Sequence, residues 1–161
     1  MYIKNKKLII AWLAVILWML LIFMLSAQPT EQTNKLSIGV TERIMSTESA
    51  IEIDTTDTSN PIVQWNAVLR KIAHFSLFLV LGMLASYALR ISGLKGYKVY
   101  LFAALFCSLY AASDELHQMF VPGRNATFID VLIDAAGAFV GIGIVRALVW
   151  MKSRKQTGRL L

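Results

Sequence analysis

Four long apolar blocks constrain this chain more than any other feature. The first is continuous from Leu8 to about Leu25, and the others lie at about 71–90, 98–114 and 128–150. A run of about 20 apolar residues matches the ~30 Å hydrocarbon layer of a bilayer. In that layer each backbone N–H and C=O needs an internal partner, which a helix provides within one segment. The expected fold is therefore all-α: a polytopic membrane protein with four transmembrane helices, spanning about 8–26, 71–90, 98–114 and 128–150, in a single domain over residues 1–161. Only 16% of the residues are charged, against about a quarter in soluble domains. An ordinary soluble domain is set aside.

A basic leader (Lys4, Lys6, Lys7) precedes the first block. Leu25-Ser26-Ala27 has the look of a cleavage site, but the block exceeds the ~7–15 residues of a signal core, so a retained helix is expected. Residues 28–70 form an extracytoplasmic loop that is polar up to Asn60. Within it Leu36, Val40 and Ile44, with Met45 close by, suit a short outer amphipathic helix, and Thr55–Ser59 a solvated loop. Asn60-Pro61 is a helix start. That helix is expected to run to about Leu89, with Ile62, Trp65, Leu69 and Ile72 on one side and Asn66, Arg70 and His74 on the other.

Arg90, Ser92 and Gly93 end the second helix, and Lys95–Lys98 connect it to the third. Helix is expected from Val99 to about Ser113 and onward through Asp114–Phe120, where Pro122-Gly123 turns the chain. Thr127 with Asp130 three residues on resembles a capping box for a fourth helix reaching about Met151. Cys107, the single cysteine, allows no intrachain disulfide and reads as a small buried side chain. Trp12, Trp18 and Trp150 read as lipid-facing or interfacial anchors.

With four spans, the N-terminus, the Arg90–Lys98 connector and the C-terminus share one side. That side collects eleven of the sixteen basic residues and none of the ten acidic ones. The positive-inside rule makes it cytoplasmic. The same topology brings Lys71 and His74, then Asp114, Glu115 and Gln118, then Arg124, Asp130 and Asp134 to one depth at the outer boundary. Asp114 and Gln118 share a helix face, as do Asp130 and Asp134. Gly137 and Gly141 continue the latter stripe inward and permit a close helix neighbour. An Asp inside a span costs roughly 2.5–3.5 kcal/mol at mid-depth and is functional by default. Lys71, His74 and Arg124 are the candidate partners of Asp134.

Asp114, Glu115, His74 and Asp130 are the candidate catalytic groups, suited to acid–base work at a partly desolvated site. Lys71, Gln118, Arg124, Asp134, Ser26 and Gln28 are the candidate substrate-binding groups, with the cations gripping an anion such as a lipid phosphate. The structural alternative is a polar network in which each charge satisfies another. No cofactor and no metal is assigned; an ion held by His74, Asp114 and Asp130 is the weighed alternative. Whether a bond is made or broken is left open. Nucleic acid is not an expected partner, since no basic patch carries interleaved aromatics outside the spans. Small-solute transport would place the ionisable groups at mid-depth rather than at one boundary.

Phe23-Met24-Leu25-Ser26-Ala27-Gln28-Pro29, Arg70-Lys71-Ile72-Ala73-His74-Phe75 and Ser113-Asp114-Glu115-Leu116-His117-Gln118 appear in that order. Phe120-Val121-Pro122-Gly123-Arg124 and Asp130-Val131-Leu132-Ile133-Asp134-Ala135-Ala136-Gly137 follow. Over nearly the whole chain these motifs resemble the VanZ-like membrane proteins. The resemblance implies a multi-pass protein of a bacterial cell membrane, linked to the cell envelope or to glycopeptide (teicoplanin) tolerance. The outer-face polar cluster itself is read in two ways: a pocket that binds or modifies an anionic lipid-linked or cell-wall-related substrate, or a non-catalytic module that shields or scaffolds cell-wall components.

Overall fold

The computed structural model describes residues 2–28, 61–122, 124 and 127–157. Four helices follow in order, α1 (Tyr2–Ser26), α2 (Pro61–Ile91), α3 (Tyr97–Gln118) and α4 (Phe128–Thr157), with no strand among the described residues. Each is long and apolar enough to cross a membrane, over Asn5–Ser26, Val68–Ile91, Tyr97–Gln118 and Phe128–Arg154. The amphipathic segment 36–45, the Thr55–Ser59 loop and the Asn60 cap lie outside the described residues. α2 has 31 residues, roughly 46 Å at 1.5 Å each, so it outruns the hydrocarbon layer and carries its first turns beyond it.

Local chemistry sets the ends. After α2, Gly93 adopts φ 102° and Leu94 N–H bonds Leu89 C=O at 3.2 Å while Gly93 N–H bonds Arg90 C=O at 3.1 Å. That pair of bonds is a Schellman closure, which needs the left-handed conformation glycine adopts without Cβ strain. At the start of α4, Thr127 Oγ1 donates to Asp130 Oδ2 at 2.7 Å. α4 runs past the expected stop near Met151 to Thr157. One turn beyond Trp150, the Arg154 guanidinium lies 4.2 Å from the Trp150 ring centroid, an i,i+4 contact that supports the last turns.

α2 and α3 each touch all three other helices, α2 the more extensively, while among the described residues α1 does not meet α4. The closest approach is between α2 and α4. A Cβ on Gly137 or Gly141 would strike the backbone carbonyl of Phe75 or Leu79, and one on Gly82 would strike that of Ala138. Lipid tails are as apolar as a helix surface, so such backbone contact drives association in place of a hydrophobic force. The core gathers Val15 and Ile22 of α1, Phe78, Leu81 and Ala85 of α2, Ala103, Cys107 and Ala111 of α3, and Ala138 of α4. Larger apolar side chains such as Ile10, Leu17, Met24, Leu109 and Leu148 point outward.

Two tryptophans correct the expectation of lipid anchors. Trp12 donates Nε1–H to Ser92 Oγ at 3.0 Å, and Trp18 donates to Leu77 C=O at 2.8 Å. Both half-buried rings pack against the core, and their N–H groups tie α1 to Leu77 in α2 and to Ser92 just beyond its end. Trp150 stays exposed.

Candidate functional site

The buried face of α3 reads Val99, Ala103, Cys107, Ala111, Asp114, Glu115 and Gln118. Its small apolar stripe thus runs directly into three polar side chains without leaving the protein interior. The periodicity that buries Cys107 also buries Asp114, whatever that costs. At the same end of the bundle lie the last turn of α1, the Lys71–His74 turn of α2 and the first turns of α4.

Three linked sets of bonds join these pieces. Between α1 and α3, Ser26 Oγ donates to Asp114 Oδ2 at 2.7 Å, and Gln118 Nε2 donates to the same oxygen at 2.9 Å. Gln118 Oε1 accepts from Arg124 Nη1 at 2.8 Å, and Arg124 Nη2 reaches Leu25 C=O at 3.4 Å. Between α3 and α4, Glu115 Oε1 accepts the Thr127 N–H at 2.7 Å, taking one of the orphan donors at that helix start. Between α2 and α4, Lys71 Nζ lies 2.6 Å from Asp130 Oδ1 and His74 Nδ1 lies 3.5 Å from Asp134 Oδ2.

Of the ten candidate residues, nine are brought into these contacts. Gln28 is the exception: its N–H bonds Leu25 C=O at 3.4 Å, and its side chain joins no network among the described residues. Asp134 is partnered by His74, while Lys71 goes to Asp130 and Arg124 to an amide and a carbonyl. His117 turns away and stacks on Phe23 with centroids 4.3 Å apart.

A pocket of about 50 Å³ opens among Arg70, Lys71, His74, Glu115, Gln118, Arg124, Asp130, Ile133 and Asp134. It has room for a few waters or one small anionic group. Asp114 does not line it. Arg70, absent from the candidate list above, does. Its signal was present in its helical phase, four residues before His74.

The charges around the pocket are unevenly matched. Around the pocket, Lys71 forms an ion pair with Asp130, and His74 Nδ1 stands beside the Asp134 carboxylate. Arg70 and Arg124 therefore face the pocket without a carboxylate partner there, and Arg124 Nε is buried with no acceptor. Burial and the nearby positive charge of Arg70 hold the Arg124 guanidinium below its usual pKa, while Asp114 and Glu115 pull the other way. A guanidinium nevertheless keeps its proton. Two cations thus repel each other at the rim of one cavity, while nearby carboxylates, Asp114 and Glu115 for Arg124 and Asp130 for Arg70, draw on each without pairing with it.

A family model described as VanZ/LLP1 matches residues 11–150. No curated protein and no solved structure matches the chain.

Proposed function

The chain belongs to the VanZ/LLP1 family, and from that premise we propose that its polar pocket binds the anionic headgroup of a lipid-linked or cell-wall-related molecule at the outer membrane face. Arg70 and Arg124 carry this reading, as two pocket-lining guanidiniums with no carboxylate partner among the described residues. A phosphate or diphosphate relieves their repulsion and offers bidentate acceptors that guanidinium geometry matches. Lys71 is a weaker contributor, since it is already paired with Asp130. The ligand's acyl or prenyl chain would lie along the apolar surface that Trp65 and Ile72 present on the outer part of α2. In the cell such binding would connect the protein to the envelope and to glycopeptide tolerance.

Binding is the step the geometry favours. A base for further chemistry would be Glu115, which lines the pocket, rather than Asp114, which does not. The test is direct. Purified protein in nanodiscs should bind a polyprenyl diphosphate in a salt-sensitive manner, and Arg124→Gln or Arg70→Gln should each weaken binding about tenfold, the loss of one charge-assisted contact. Unchanged binding in both variants would remove the reading. Tolerance that survives both substitutions but not deletion would point instead to a shielding or scaffolding module.

A further inference from the structure

We propose that His74, Asp114 and Asp134 form a binding site for one divalent transition-metal ion of the Zn²⁺ or Mn²⁺ type. Each residue comes from a different helix, α2, α3 and α4, and one ligand-capable atom from each lies within 4.8 Å of the other two. The ion is held by the bundle itself, and it involves Asp134 rather than Asp130, which Lys71 and Thr127 already occupy.

Four observations lead there. Asp114 is 2% exposed and commits Oδ2 to Ser26 and Gln118, yet its Oδ1 is buried with no partner. An orphaned buried carboxylate oxygen is costly unless something binds it. Secondly, His74 Nδ1 and Asp134 Oδ2 stand 3.5 Å apart. That exceeds the usual 2.7–3.2 Å hydrogen bond, but two ligands about 2.1 Å from a tetrahedral ion lie about 3.4 Å from each other.

Thirdly, Asp114 and Asp134, each 2% exposed, have no Lys or Arg ion partner among the described residues, whereas the more exposed Asp130 has one. Buried charges are paired, bound to metal or neutralised by protons. A divalent ion offsets both carboxylates at once. Finally, Ser26 and Gln118 orient Asp114 from outside the ligand set, the role outer hydrogen bonds play around metal carboxylates.

The donor set selects the ion. One imidazole and two carboxylates suit Zn²⁺ or Mn²⁺, whereas Cu(I) prefers sulfur and Ca²⁺ needs six to eight oxygens. His74 and Asp134 line the pocket, so a coordination position is left facing it, where water or an anionic oxygen can bind.

The site requires no anionic substrate, and its test is separate from that of the arginines. Full-length protein in nanodiscs, stripped with chelator and dialysed, is titrated with Mn²⁺ followed by electron paramagnetic resonance, then with competing Zn²⁺ and elemental analysis. One equivalent should bind to wild type. His74→Ala and Asp134→Asn should abolish uptake, Ser26→Ala should weaken it about tenfold as a positioning change, and His117→Gln should leave it intact. Circular dichroism and a monodisperse elution profile verify that each variant is folded. A wild-type protein taking up neither ion overturns the proposal without any variant. So does stoichiometric uptake that persists in both ligand variants, and in that case the buried carboxylates are neutralised by protons instead.

Discussion

Ser26 shows how much a single residue can bear. At the last turn of α1 it is fully buried, and its hydroxyl donates to Asp114 while lying 3.4 Å from Gln118 Nε2. Polar contacts between membrane helices are worth about 0.6 kcal/mol on average and up to about 1.7. Ser26→Ala should therefore lower unfolding stability in detergent by about 0.5–2 kcal/mol, read from thermal or denaturant unfolding. Gln118→Leu should cost more, because it strips a donor from Asp114 and an acceptor from Arg124 together. Equal effects of the two changes would count against a connected network. Ser26, Asp114 and Gln118 were legible from helix phase and turn position. Arg70 was not singled out, because an arginine on the polar side of the amphipathic first third of α2 is most simply a solvated charge.

At the scale of elements, the α2–α4 seam is the decisive packing. Gly141→Leu would drive a side chain into the Leu79 backbone, where no rotamer provides relief, while Gly143→Leu meets open space on the same helix. The first should destabilise by about 1–3 kcal/mol or more and the second should be near neutral, measured side by side as melting temperatures in one detergent. Comparable losses would mean that the seam does not hold the bundle. The seam also sets the register of the site, since sliding α4 by one turn would separate Asp130 from Lys71 and Asp134 from His74. The Thr127 start of α4 belongs to the same device. Thr127→Val should cost about 1 kcal/mol through loss of the cap hydroxyl, again read from unfolding.

The whole molecule makes a topological prediction. The connector near Lys95 and the turn near Pro122 lie at opposite ends of α3. Lys95→Cys and Pro122→Cys should be labelled by a membrane-impermeant thiol reagent from opposite sides, the first from the cytoplasm, with buried Cys107 contributing little background. Labelling from the same side would refute the four-span map.

The apolar blocks, the turn that ends α2, the Thr127 start of α4 and its small-residue stripe followed from local rules: span length, capping, and the 3.6-residue period, whereas the end of α4 at Thr157 did not. These depend on neighbours a few positions away, so the chain states them by itself. Which cation meets which carboxylate depends on the rotation and closeness of helices separated by dozens of residues. Hence Lys71 went to Asp130, His74 to Asp134, and Trp12 and Trp18 to α2 rather than to lipid. Only the packed bundle could decide those pairings, because each is chosen by what the opposing helix places at the same depth.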